Sequence, residues 1–336
     1  MSDLLGKLLL LLVTLAAALG GAEYAARRLG HPPTPAVGNA HFSGDSQFGW
    51  AEFDPVVGWR NKAGVWLSLE PGNVPMTFWS DGRRATRPSP DVAPLPQVVI
   101  VGDSFSQGYG VVDAETFAWR LAEATPSVDV ENFGTGGYGA YQSLLALRRI
   151  FASKGAPYAP KLAVYGYTDF HAYRDVAGYS WVRTLLDRHG QYFAPPSVAA
   201  KDGRLVEYPF VVFPRWPLEG SLSLVALAKD ARLRLLVRDR EATAEEATKL
   251  LLAELRTLAT LNAARFVVME LTRAPTSIDA FLRSRGIEAV SCSDFDPGLV
   301  LADPAFKVGG TGHPNGRVHA SWARCLAHWM DAHPLR

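Results

Sequence analysis

Four short stretches carry residue types suited to nucleophilic chemistry. The first is Gly102-Asp103-Ser104-Phe105-Ser106-Gln107-Gly108, directly after the apolar, β-branched run Val98-Val99-Ile100-Val101. A serine on a glycine-flanked strand-to-helix turn exposes its hydroxyl, and the free N–H groups of the helix start are ready to receive an oxyanion. The second, Asn132-Phe133-Gly134-Thr135-Gly136-Gly137-Tyr138-Gly139, is a turn whose N–H groups can approach a ligand closely. The third is Gly166-Tyr167-Thr168-Asp169, and the fourth, Gly312-His313-Pro314-Asn315, sets a histidine at a helix entry. Each alone is common in loops and helix caps. Their occurrence in order, each after a structural element, points to one site.

The elements that must position these stretches follow from periodicity. Strands are expected at Val98–Val101, Val128–Phe133, Leu162–Tyr167, Phe266–Leu271 and Ile287–Val290. Helices are expected near Phe117–Ala124, Tyr141–Ser153, Thr243–Leu261 and Asn315–Met330. Apolar strands alternating with amphipathic helices indicate an α/β fold, a parallel sheet with helices on both faces. In such sheets ligands bind beyond the carboxyl ends of the strands, where these stretches lie. Residues 171–241 interrupt the alternation as an excursion, with a hairpin-like stretch at Leu205–Phe213.

Upstream, the chain divides into an apolar N-terminus at 1–30, a proline-rich linker at 31–40 and a small β-rich extension at 41–96, before the sheet-forming region 97–336. Short alternating stretches at Val65–Leu69 and Met76–Trp79 mark the extension, and Pro88, Pro90, Pro94 and Pro96 close it. Leu8–Ala22 is an unbroken low-polarity run between Lys7 and Arg27-Arg28. With Leu4, Leu5 and the Tyr24–Ala26 flank it approaches a full membrane span, with Lys7 snorkelling. A cleaved signal peptide is the alternative, with Gly20 and Ala22 as its small residues. Either reading predicts export, an inner-membrane-anchored or secreted extracytoplasmic protein, and an oxidising compartment where Cys292 and Cys325 can pair.

The 336 residues carry 34 Lys+Arg against 33 Asp+Glu, and 48% are hydrophobic, which excludes a disordered chain and gives no electrostatic footprint for nucleic acid. Two cysteines are too few for a four-cysteine zinc site, and Cys292, Cys325, His313 and His319 lack close ligand spacing, so neither metal nor cofactor is expected. The mean hydropathy of +0.02 averages a membrane-seeking N-terminus with a more ordinary soluble region.

The stretch from Asp103 to Arg149, with the spacing of Ser104, Asn132 and Gly137, resembles the GDSL/SGNH hydrolase family, and in particular its bacterial, N-terminally anchored branch. Ala22-Glu23…Arg27, Asp54…Gly58-Trp59-Arg60 and Ser80-Asp81-Gly82-Arg83 are similar to that branch as well. The resemblance implies a flavodoxin-like three-layer α/β/α fold. It implies Ser104 as nucleophile, the N–H groups of Ser104 and Gly137 as oxyanion donors, and His313 as general base. Two positions depart from the family pattern. Thr168 stands where the third oxyanion donor is an asparagine, and Gly310 and Thr311 stand where an aspartate orients the histidine. Asp294, Asp296 and Asp303 are the nearby acids available for that task, with a backbone carbonyl as the other alternative.

The expected activity is ester hydrolysis on an O-acyl or O-acetyl group of an envelope or extracellular glycan. The alternatives are acyl transfer to a sugar hydroxyl by the same Ser104–His313 pair, or a degenerate domain that binds a glycan or scaffolds without turnover. His319 and His328 compete with His313 only as capping or surface histidines, and Asp103 is expected to brace the turn rather than react.

Overall fold

The inner strands of the sheet are mostly apolar and buried because both faces of the sheet are covered. In the computed structural model the sheet's strands are β1 (Gln97–Gly102), β2 (Asp129–Asn132), β3 (Leu162–Tyr167), β4 (Arg265–Glu270) and β5 (Glu288–Ser291). All four pairings are parallel and the spatial order is β2-β1-β3-β4-β5, the flavodoxin-like order. The structure describes residues 2–34, 49–91, 95–154, 160–186, 191–310 and 312–335. Parts of the expected linker and extension (35–48), Pro94 and Thr311 lie outside the described residues.

Alternate residues of each strand feed two different cores. Val99, Val101, Ala163, Tyr165 and Val268 pack with Leu144, Leu147, Leu251 and Leu255 from the Ala140–Lys154 and Ala244–Leu261 helices. Val98, Ile100, Val164, Val267 and Met269 pack on the other side with Phe117, Leu121, Val318, Trp322 and Leu326 from the Phe117–Ala124 and Gly316–Ala332 helices. Cys292 and Cys325 are joined, fastening the segment after β5 to the last helix. The expected three-layer α/β/α architecture is present.

Strand order places the switch point between β1 and β3, so the segments after these two strands flank one crevice. Ser104 follows β1 and Thr168 follows β3.

The excursion differs from expectation. Leu205–Phe213 is not a hairpin with itself: Arg204–Tyr208 pairs with Ser197–Lys201, and Val211–Phe213 pairs with Tyr192–Ala194. Pro209, which has no N–H to donate, separates the two runs. The turn that does form is Asp202-Gly203, with φ of 51° and 71°, the two-residue geometry favoured between antiparallel strands. The excursion also holds a long helix, Ser223–Glu241.

In the described part of the extension, Ala51–Asp54 pairs with Gly58–Asn61, and Gly64–Leu67 pairs with Pro75–Phe78. The following segment runs along the free edge of β2. Arg84 N–H donates to Asn132 O at 2.8 Å, Thr86 Oγ1 donates to Val130 O at 2.7 Å, and Arg83 pairs with the buried Glu131 at 2.8 Å. This covers a strand edge that would otherwise present unpaired groups.

Arg84 is fully buried. Its guanidinium donates to Asp113 at 2.7 Å and to the carbonyls of Gly108 and Val111 at 3.2 and 2.9 Å, bracing the loop behind Ser104. Removing one partner of a buried ion pair costs about 3–5 kcal/mol. Arg84→Leu is therefore expected to lower unfolding stability by about that amount, measured by chemical denaturation; a loss within experimental error would show that the brace is dispensable.

Candidate functional site

Ser104 opens a four-residue helix, Ser104–Gln107. Asp103 caps it, accepting from Phe105 N–H at 3.0 Å, and Gly108 ends it in the left-handed region. Asp103 is fully buried. His171 Nε2 and Arg174 Nη1 lie 3.3 and 3.2 Å from its Oδ2. Burial pushes its carboxyl up, but His171, Arg174 and the Phe105 N–H together bring it below the usual value. The residue before the serine is thus a charged anchor for the turn.

The glycine-rich turn after β2 is pressed onto this helix. A Cβ at Gly134 would lie 2.5 Å from Gln107 N, so only glycine permits the approach. Asn132 links the two, donating from Nδ2 to Ser106 O at 2.8 Å and accepting at Oδ1 from Gly134 N–H at 2.9 Å. The extension clamps the turn from outside. Trp59 Nε1 donates to Gly136 O at 2.8 Å, and Asn61 Nδ2 donates to Gly134 O at 3.0 Å while its Oδ1 accepts from Gln107 Nε2 at 2.7 Å. Tyr138 OH donates to Trp59 O. Gly137, with φ of 83°, sits within this clamped turn. Asp175 fixes the turn's far end by accepting from Tyr141 N–H at 2.9 Å at the start of the next helix.

His313 Nε2 lies 3.0 Å from Ser104 Oγ, and His313 Nδ1 lies 2.6 Å from a carboxylate oxygen. That oxygen is Glu70 Oε1. The acids near the histidine in sequence are engaged elsewhere. Asp303 caps a short turn by accepting from Ala305 N–H at 2.8 Å. Asp296 accepts from Gly298 N–H and lies 3.5 Å from Arg324. Asp294 receives both contacts of Arg273 Nη2 at 3.1 Å. The expectation that one of Asp294, Asp296 and Asp303 orients His313 is therefore corrected to Glu70, a residue of the extension.

Glu70 lies in the connection between the Gly64–Leu67 and Pro75–Phe78 strands, and the last loop is shaped to receive it. A Cβ at Gly312 would overlap the Glu70 carboxylate, and one at Gly309, whose φ is 60°, would overlap the Pro71 ring. Tyr109 OH accepts from Leu69 N–H at 2.9 Å, and the Tyr109 ring lies 4.9 Å from the His313 ring, so one tyrosine supports both partners. Phe105, 5.9 Å from the His313 ring on another side and stacked on Trp322, limits imidazole movement. The hydrogen bond from His313 is the main influence holding the Glu70 carboxyl below its usual value.

Thr168 is fully buried at the end of β3, and its hydroxyl has no hydrogen-bond partner among the described residues. Its N–H points to His171 Nδ1 at 3.5 Å, and Tyr165 OH lies 2.6 Å from the same nitrogen. His319 is also buried, accepting from Phe117 N–H at 3.3 Å, and burial drives its pKa down to about 3. His328 is exposed on the last helix. Neither reaches Ser104. Among the described residues no group of three or more His, Cys, Asp or Glu is arranged to hold a metal ion.

The sequence matches no protein-family model and no curated protein. Solved GDSL- and SGNH-family proteins are structurally similar to it. A member of the lipolytic G-D-S-L family from Veillonella parvula aligns over 69% of this chain and 96% of its own, at 11% identity and a TM-score of 0.39. An α/β hydrolase enzyme, LAE5, from the metagenome of Lake Arreo aligns over 71% of this chain and 95% of its own, at 15% identity and a TM-score of 0.38. AlinE4, an SGNH-hydrolase family esterase, aligns over 72% of this chain and 94% of its own, at 15% identity and a TM-score of 0.32.

Two outcomes follow from the Glu70 contact. Gly312→Ala is expected to push the carboxylate off His313 and to reduce turnover as far as Glu70→Gln does, with folding retained by circular dichroism; unchanged turnover would show the contact is not needed. A carboxyl depressed on folding stabilises fully above its ordinary value of 4.5, and that contribution is lost as pH falls through the lower folded-state value. The stability gap between wild type and Glu70→Gln should therefore stay level above pH 4.5 and narrow below it, as read from denaturation curves at a series of pH values. A gap independent of pH would contradict an ionised Glu70 carboxylate held at His313.

Proposed function

We propose that the protein is a serine ester hydrolase of the SGNH type, tethered by its N-terminal helix and facing an extracytoplasmic compartment. Its substrates are O-acyl or O-acetyl esters, most naturally those of envelope or extracellular glycans. The observation that carries the reading is the continuous chain Glu70 Oε1, His313 Nδ1, His313 Nε2, Ser104 Oγ, with contacts of 2.6 and 3.0 Å.

Glu70 accepts a hydrogen bond from Nδ1–H, which keeps that proton on Nδ1 and leaves Nε2 with a lone pair facing Ser104. Ser104 Oγ bonds to the ester carbonyl carbon as its proton passes to Nε2. The oxyanion is met by N–H groups of Ser104 and Gly137, and Glu70 stabilises the imidazolium. His313 then returns the proton to the departing alkoxy oxygen as the C–O bond breaks. Water repeats the sequence on the acyl-serine and releases the acid. Thr168 supplies the third donor in this reading, supported by its position after β3 and its unpartnered hydroxyl.

The tether rests on the helix Ser2–Arg28. Within Asp3–Arg28 the most apolar stretch has a mean hydropathy of 2.1 and is fully uncovered, long and apolar enough to cross a membrane, a test that a signal sequence also passes. The joined Cys292 and Cys325 accord with an oxidising compartment.

Ser104→Ala is expected to abolish hydrolysis of a short-chain aryl acetate, and Glu70→Gln to reduce kcat by on the order of 10³–10⁴-fold. Asp294→Asn, Asp296→Asn and Asp303→Asn should each leave kcat nearly unchanged. Equal rates in wild type and Ser104→Ala would overturn the assignment. Thr168→Val, which keeps the shape and removes the hydroxyl, should lower kcat by about 10²–10³-fold with little change in KM; an unchanged kcat would place Thr168 in the packing alone.

A further inference from the structure

The N-terminal helix does not simply lead into the chain; its last turns are bonded to the excursion. Glu23 caps the Ser223–Glu241 helix, accepting from Ser223 N–H at 2.8 Å and Leu224 N–H at 3.0 Å. Arg27 Nη2 donates to Ser221 O at 2.6 Å, Ala26 is buried, and Thr34 N–H donates to Glu219 O at 2.9 Å. The turn at residues 215–222 is therefore fixed to the point where the apolar helix ends.

This turn also lies alongside the middle of the Ser223–Glu241 helix. Buried Glu219 accepts from Trp216 N–H at 2.7 Å and pairs with Lys229 at 2.7 Å. Trp216, Phe213, Arg232, Leu233 and Leu236 line a common cavity of about 250 Å³. The helix is thus held at its N-terminus by Glu23 and along its side by a turn bonded to Thr34.

The helix turns Ala226, Lys229, Leu233 and Val237 inward. Its outward face is not polar throughout: Leu235 is 70% exposed and Leu236 54%, and Leu218 on the turn is 62% exposed. Arg232, Arg234 and Arg238 are exposed among them, with Asp239 as the exposed acid. Exposed leucines interleaved with arginines, beside a tryptophan, are the composition of a surface that lies at a lipid headgroup boundary.

We infer that this face, the turn at 215–222 with the outward side of the Ser223–Glu241 helix, rests on the bilayer and binds anionic phospholipid headgroups. The leucines enter the acyl boundary while Arg232, Arg234 and Arg238 meet phosphates. The contact fixes the catalytic region's orientation to the membrane instead of leaving it on a free tether. The inference rests on the N-terminal helix being a retained span, and the argument from continuity with that span selects lipid over a second copy of the chain.

The test uses the full-length chain in nanodiscs of phosphatidylcholine with and without phosphatidylglycerol. Leu218→Cys, Leu235→Cys and, as a control, Leu261→Cys, 80% exposed at the far end of the Ala244–Leu261 helix, are each labelled with bimane and challenged with doxyl-labelled lipids. Labels at 218 and 235 should be quenched several-fold more than at 261, more strongly with phosphatidylglycerol and less in high salt. Equal quenching at all three sites, in a chain that stays in membranes through a carbonate wash, overturns the inference while leaving the anchor intact. Disulfide cross-linking between 235 thiols without quenching assigns the face to a second copy and also overturns it. Release by carbonate removes the retained span and the inference with it.

Discussion

The site depends on one imidazole held from both sides. His313 is useful as a base only if Nδ1 keeps its proton and Nε2 faces the serine, and a carboxylate on Nδ1 fixes both. Glu70 does this from 243 residues upstream in sequence, so the contact is a property of the tertiary fold and not of any local motif. Everything around it serves that approach. Gly312 and Gly309 leave room for Glu70 and Pro71, Tyr109 holds both the Leu69 backbone and the imidazole edge, and Phe105 backs the ring on Trp322.

The β-rich extension is accordingly part of the site. Through Trp59 and Asn61 it holds the glycine-rich turn, through Arg84 it braces the loop behind Ser104, and through Glu70 it meets Nδ1 of His313. The parallel sheet supplies the crevice, with Ser104 and Thr168 following the two strands at its switch point. Energetically the arrangement is asymmetric. The buried Arg84 and Asp103 pairs are costly to break, whereas the Glu70 pair is partly open and contributes mainly by orientation.

Much of this was legible in the sequence. The inner strands are legible as apolar runs because both sheet faces are buried there, Ser104 and His313 are marked by a strand-end turn and a helix entry, and Gly137 follows from the family resemblance. Glu70 is not legible there: it sits in a short connection between weak strands, far in sequence from the positions beside His313 where the family pattern has an aspartate. A signal does exist in Gly309 and Gly312, which accord with a close approach by another segment without naming it. The pairing in the excursion differs from a hairpin within Leu205–Phe213 because the turn-forming Asp202-Gly203 and the interrupting Pro209 divide the run between two partners.

The central claim is that Glu70 holds the Nδ1 proton of His313 and so sets its tautomer. Proton NMR of the chain labelled with ¹⁵N-histidine tests it directly. The account predicts a far-downfield imidazole proton resonance coupled to His313 Nδ1 that is present in wild type and in Asp303→Asn and absent in Glu70→Gln. Persistence of that resonance in Glu70→Gln, or its loss in Asp303→Asn alone, would contradict it.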